Sequence, residues 1–532
     1  MTDAATRHAP SIVERLRQIV GNDHVLDGPE DRRFFSSDVY RPADHLVECV
    51  LQPGSRDELS ESVRTATAAG YVVIPRGGGL SYTDGYLPVR RNSIVVDMRR
   101  LDRIIEINTE DMYVTVECGA TWESLYTALK AKGVRTPYFG PLSGLRSVVG
   151  GALSQNSIFF GSGLHGTAVE SCLGLEVVLA DGRVIKTGSA ATPYNPSPFF
   201  RTYGPDLTGI FLADTGALGF KVRATLRLIP YPAVSLFASF AYETYDQIAN
   251  AMSEISRQGL ASECFGFDPY LQGQRLKREG LLKDFQRLAS VARSGRSMLD
   301  GVKEAAKVAF HGRRMFEGVD YSMHIVVDGR DEATAQSAMA AVKAIAGREG
   351  REIEASLPKI MRATPFVAPN SMLGPEGQRW IPIHAMVPHS RGPALLKAVH
   401  DFFDRQQDTL DRHRIEWGYL LATVSYQTFL VEPVFFWEDE RHLYHDRQLD
   451  PAYLAKLKVF PKNEAATRAV DEMRRGLAKL FMELGCAHFQ IGKSYLYREG
   501  RDPETYRLLE AIKRHVDPAG MLNPGSLGLL RS

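Results

Sequence analysis

The sequence predicts an α+β protein of two closely packed units, and three observations carry the prediction. Its 532 residues exceed the roughly 250–300 at which a single core stops growing. Residues 45–232 string short runs of branched apolar residues between helical stretches and glycine loops. Beyond residue 232 longer helical patterns alternate with strands. Hydrophobic residues at 44% and charged residues at 24% exclude disordered, collagen-like and disulfide-scaffold classes. With 64 Lys and Arg against 63 Asp and Glu, the formal charge is +1, which argues against a surface given over to nucleic acid.

In the first unit, Ile12, Val13, Leu16, Ile19 and Val20 make one helical stripe. LVECVLQP (46–53) reads as a strand, DELSESVRTATAAG (57–70) as a helix stopped by Gly70, and YVVIP (71–75) as a buried strand. SIVVDM, RIIEI and YVTVECG continue as strands, and Ala180-Asp181-Gly182-Arg183 makes a hairpin turn in LGLEVVLADGRVIKTG (173–188). The second unit holds three helical patterns, at 331–347, 393–406 and 465–485. Its strands are YSMHIVVDG (321–329) and TVSYQTFLVEPVFFW (423–437). No Pro/Ser-rich linker marks the border near residue 232, so the units are expected to pack closely.

Cys49, Cys118, Cys172, Cys264 and Cys486 lack metal-ligand spacing and read as buried free thiols; no metal is expected. The first residues lack an apolar signal core, and no run approaches the ~18 residues of a membrane span. The expected location is the cytoplasm.

The sharpest feature is Pro75-Arg76-Gly77-Gly78-Gly79-Leu80-Ser81 directly after a buried strand. Consecutive glycines there let backbone approach a ligand and aim several N–H groups one way, which suits a phosphate. The loop is neither a Walker A loop nor a GxGxxG turn. A second small-residue stretch runs through Ser147-Val148-Val149-Gly150-Gly151, then Gly161 to Gly166, then Glu170 to Gly174, as backbone lying against a large flat ligand would require.

PRGGGLS (75–81), SVVGG (147–151), ESCLGLEVVLADG (170–182) and the tail DPAGMLNPG (517–525) together resemble the vanillyl-alcohol oxidase/4-cresol dehydrogenase family of FAD-linked oxidases. The resemblance covers residues 45–232 strongly and the remainder moderately. It implies a two-part FAD-binding domain of the vanillyl-alcohol oxidase type (1–232, completed by 486–532) and an α+β cap domain with an antiparallel sheet (233–485). It implies FAD, with the pyrophosphate at Gly77–Ser81, the ring and ribityl chain along Ser147–Gly151, and the adenine end near Gly166–Glu170 and Gly216–Phe220. Ser143, Gly161 and Asn523 join the expected cofactor contacts.

Some family members attach FAD through a His after the glycine run; Leu80 stands there, and the cap segment Ser425–Phe429 has no His, so noncovalent FAD is expected, with Tyr426 as the remaining attachment point. Tyr82 falls where the resemblance places a phenolate-binding tyrosine, whereas its Tyr-Arg partners are replaced near His488-Phe489-Gln490 and the acid near N5 by Leu142 or Ser143. The metal stretch of the 2-hydroxyacid branch is missing, and Glu432–Trp437 occupies that region. Oxidation of an alcohol needs a proton acceptor while hydride leaves carbon. Tyr426, His488, Lys493 and Tyr82 are the candidates, with His384 behind them; packed amphipathic residues are the alternative for each. Arg441–His445 reads as a solvated helix start.

Residues 271–316 carry eleven basic and four acidic side chains, net +7, with Leu281, Leu282, Phe285 and Leu288 at helical spacing. This insertion reads either as a solvated face or as a peripheral contact with anionic membrane on its inner face. The leading function is hydride transfer from a phenolic or other alcohol substrate to FAD, with oxygen, a quinone or an electron-accepting protein reoxidising it. A D-2-hydroxyacid dehydrogenase is the alternative, a non-redox flavin transferase resembling alkylglycerone-phosphate synthase the third. A homodimer is left open.

Overall fold

The computed structural model describes residues 10–194, 196–277 and 319–529. Most of the basic insertion therefore lies outside the described residues. A four-stranded sheet runs in the order Val25–Leu26, Cys49–Leu51, Ser93–Asp97, Val72–Arg76, its last three strands parallel. Parallel strands covered on both faces need apolar residues at successive positions, which is why Val72-Val73-Ile74 and Ile94-Val95-Val96 do not alternate. Helix Arg56–Ala68 crosses between the strands, and helix Ile12–Val20, closed by a Ser11–Glu14 capping box, packs against it.

A five-stranded antiparallel sheet follows, ordered Ile104–Asn108, Tyr113–Glu117, Phe220–Arg227, Cys172–Val178, Val184–Lys186. The Asp181-Gly182 turn forms as expected, with Gly182 at φ +82°. The chain then enters an eight-stranded antiparallel sheet in which Val234–Tyr242, Tyr321–Gly329 and Glu263–Phe267 lie beside the hairpin Glu416–Val424/Thr428–Trp437. The expected single strand 423–437 is corrected here. Ser425 takes φ +57° and turns the chain, so residues 424 and 428 face each other across a tip.

One buried core runs through both parts, joining Ile74 and Val95 of the first sheet to Ile325, Val431 and Leu477 of the cap. The tail returns as a strand partner, with Leu522 bridging Val73 in parallel. All five cysteines are free and buried. Among the described residues no helix is long and apolar enough to cross a membrane, and no cluster of three metal-ligating side chains occurs.

A buried ionic group ties the short strand Val134–Arg135 to the cap. Arg135 reaches Asp328 at 2.9 Å, while Arg362 bridges Asp328 and Glu263, the latter at 2.6 Å. All four side chains are at most 9% exposed, so neither arginine has water to replace a lost carboxylate. Asp328→Ala strands the buried Arg135 guanidinium, leaves Arg362 with Glu263 alone, and is expected to cost ~3–5 kcal/mol. A urea midpoint equal to that of the parent protein would contradict this role.

Candidate cofactor and substrate site

Strand Val72–Arg76 ends directly in the glycine loop, at the carboxyl edge of the parallel strands where open sheets leave a crevice. A Cβ at Gly77 would strike Val148, and one at Gly78 would strike the carbonyl oxygen of Arg146. Glycine is needed here because two backbones meet. Gly79 adds φ +71°. The amides of Gly78, Gly79, Leu80 and Ser81 donate no hydrogen bond to any described residue. Orphaned donors on this scale are tolerated where a ligand or water receives them.

The loop opens into a cavity of about 310 Å³. Its floor is Pro75 to Ser81, the turn holding Ser143, Ser147, Gly150 and Gly151, and the segment with Gly216 and Phe220. Gly150 backs onto Cys118, and Gly216, at φ +71°, onto Pro75. Sequence reading missed Lys221, which lines the same floor and pairs with Asp214 at 2.6 Å; both are nearly fully buried. Asp214 also accepts from the amides of Gly216 and Leu218, which fixes the floor's third wall.

Four expected cofactor contacts do not line the cavity. Gly161 donates its amide to Glu263 at 2.7 Å, and Gly166 closes a turn over the carboxylate of Glu170, which caps Thr167. These turns have their amides paired within the protein and lie outside the cavity. Asn523 lies behind the wall: its Nδ2 donates to Gly85 at 2.7 Å and Thr215 at 2.8 Å, and its Oδ1 accepts from Lys493 at 2.9 Å.

The roof is aromatic and aliphatic: Trp380, Leu420 and Phe436 come from the cap, and Leu142, Phe159 and Phe489 lie beside them. Tyr82 stands edge-on to Trp380 with ring centroids 5.6 Å apart. Burial, with Glu432 nearby, pushes its phenol well above the ordinary value, and Gln490 hydrogen-bonds its hydroxyl. Tyr82, Glu432 and Gln490 thus form one polar group under an apolar roof. Among the described lining residues the cations are Arg76 and Lys221, both on the floor.

Of the four candidate catalytic residues, Tyr82 alone lines the cavity. Tyr426 sits at the hairpin tip, half exposed, beside Gly259, because the chain turns where a strand was expected. His488 points the other way, its Nδ1 paired with the carbonyl of His384 at 2.9 Å and its ring stacked on Tyr495 at 4.2 Å. Its neighbours Phe489 and Gln490 are the ones that face in. His384 is fully buried between Phe489 and Tyr495. Lys493 donates to Leu87 at 2.6 Å and to Asn523, and burial pushes its ammonium down to about 7. It is a structural tie. Residues 441–445 are also corrected: Tyr444 and His445 are fully buried, in helix Leu443–Gln448, which packs on the glycine loop.

The glycine cradle, its unpaired amides and the facing floor suit a dinucleotide with a pyrophosphate, and comparison with known proteins decides which. The family described as "FAD binding domain" matches residues 47–188, and "FAD linked oxidases, C-terminal domain" matches 490–527. The cofactor is FAD. Glycolate oxidase subunit GlcD of Bacillus subtilis is 28% identical over 244 residues, 46% of this chain and 50% of that protein. The chain spans about half the length of the curated relatives it matches. Among solved structures, p-cresol methylhydroxylase with bound substrate superposes at a TM-score of 0.70 with 18% identity, over 98% of this chain and 96% of that one. An alkyldihydroxyacetonephosphate synthase superposes at 0.68 with 17% identity, over 97% and 86%. These likenesses show the fold, and the expected α+β class with a two-part FAD-binding domain and an antiparallel cap stands.

Gly78→Ala is expected to yield protein purified without flavin, read as loss of visible absorbance per protein, because the Arg146 carbonyl cannot yield to a methyl group. Acid is expected to loosen the fold. Burial holds His488 at about 4 and His442 at about 3, below the ~6.5 of unfolded histidine. The unfolded chain therefore binds protons first, and stability falls as pH drops from about 6.5 towards 4. His488→Phe should make the decline in unfolding temperature shallower over that window.

Proposed function

We propose that the chain oxidises an apolar alcohol, of the phenolic or aromatic-alcohol kind, by hydride transfer to FAD. The observation that supports it is the cavity's division: a glycine floor for the cofactor and a largely apolar roof beside which Tyr82, Gln490 and Glu432 are grouped. In this reading residues 1–232 and 486–532 hold the cofactor and 233–485 shape the substrate. FAD, when bound, supplies a two-electron acceptor at N5.

The chain's own residues do the rest. Tyr82, kept protonated by burial, donates a hydrogen bond to the substrate oxygen, and Gln490 fixes its direction. Glu432 takes the hydroxyl proton as hydride leaves the carbon. Trp380, Phe159 and Phe436 pack the substrate body and exclude water. FAD is held without a covalent bond; Leu80 lines the floor, and no histidine is among the described lining residues. Oxygen, a quinone or an acceptor protein reoxidises it.

A 2-hydroxyacid is the second reading, supported by the resemblance to glycolate oxidase subunit GlcD. Its carboxylate would need a cation, and the described roof supplies Glu432 instead. Anaerobic mixing with 4-alkylphenols, aromatic alcohols and D-lactate decides between them. Bleaching of the flavin band by phenols or alcohols is expected; bleaching by hydroxyacid alone would sink the leading reading, and bleaching by none would favour a transferase. Glu432→Gln should slow bleaching by ~10²–10⁴-fold while FAD stays bound.

A further inference from the structure

The glycine loop has a back as well as a front. The carbonyl of Gly79 accepts hydrogen bonds from the Tyr86 hydroxyl at 2.5 Å and the Tyr444 hydroxyl at 2.7 Å. The carbonyl of Gly78 accepts from Gln448 Nε2 at 3.2 Å. In a trans peptide the C=O and the following N–H point in opposite directions. Holding the carbonyls of Gly78 and Gly79 backwards therefore aims the amides of Gly79 and Leu80 forwards, where they find no acceptor among the described residues. Without side chains at three successive positions, nothing local fixes these peptide planes.

Tyr444 and Gln448 belong to the cap helix Leu443–Gln448, more than 360 residues along the chain from the loop. The ring of Phe34 stacks on Tyr444 at 6.1 Å, and Gln448 is braced by Arg146 at 3.2 Å. Behind the same peptides Arg76, 1% exposed, lies over Phe34, Phe35 and Tyr86 at 4.5–5.2 Å, and no carboxylate among the described residues forms an ion pair with it. A buried positive charge so placed favours an anion in front of the loop.

We propose that Tyr86, Tyr444 and Gln448 are positioning residues that hold the loop's peptide planes for the FAD pyrophosphate, so that cofactor affinity depends on the docked cap. The inference rests on FAD as cofactor and is independent of the substrate. Burial pushes the phenols of Tyr86 and Tyr444 upwards, so both remain donors throughout the pH range in which the fold survives.

The test titrates FAD into deflavinated full-length chain and compares parent with Tyr444→Phe, Tyr86→Phe, their double variant and Gln448→Glu. Each single tyrosine change is expected to weaken FAD ~2- to 10-fold, and the double, which leaves a buried carbonyl without a donor, ~5- to 150-fold. The unfolding temperature of the deflavinated protein and the visible spectrum of bound flavin should stay at parental values, since the effect is confined to the phosphate end. Unchanged FAD affinity overturns the proposal. So does an affinity loss that merely tracks a fall in the flavin-free unfolding temperature, or one accompanied by a shifted flavin band. Gln448→Glu keeps an acceptor facing Arg146 and replaces the donor to Gly78 with a carboxylate oxygen, so it carries the test if a tyrosine variant does not fold. Failure of the parent chain to take up FAD would strike the cofactor assignment instead.

Discussion

The site depends on the close approach of two backbones, at Gly77–Gly78 and Arg146–Val148. Only glycine permits it, and it brings the end of a parallel strand against a turn some 70 residues away. Everything else at the cavity serves to hold that contact. The Asp214–Lys221 pair fixes the third wall, the Asn523 side chain ties Gly85 to Thr215, and the cap closes from above. Backbone donors of this kind can receive an anion without a lysine.

Much of this was legible in the sequence where the physics is local. Branched residues at successive positions gave away the parallel strands, and the runs of glycine marked the floor, because close approach leaves glycine no substitute. What depended on long-range pairing was not legible. A tyrosine in an apparently continuous apolar run proved to be at a hairpin tip, because one residue, Ser425, took a left-handed conformation. His488 was one position out of register, and at the end of a strand-like bridge one position decides which side chain faces in. The polar look of Arg441–His445 concealed two buried rings, since the covering surface is supplied by the first unit, through Phe34 and the glycine loop. Glu432 carried no local signal at all: a carboxylate in an apolar strand reads as an edge or a defect until the cavity beneath it is seen.

The charge pattern separates the two ends of the cavity. The cations among the described lining residues lie on the floor, and the described roof carries one acid among aromatic rings. A near-neutral sequence thus folds into a site with a positive base and an apolar, faintly acidic ceiling, and that asymmetry sorts ligands before any chemistry begins.

The return of the tail has a consequence for biosynthesis. Val73 lies on a strand made early, yet its backbone partner is Leu522, and the neighbouring Asn523 bonds both Gly85 and Thr215. A growing chain can form the glycine loop long before those residues leave the ribosome, but it cannot close the wall behind it. That wall is closed only by residues far along the chain, and removing Leu522 and Asn523 would open it from behind while leaving every residue of the cavity floor in place.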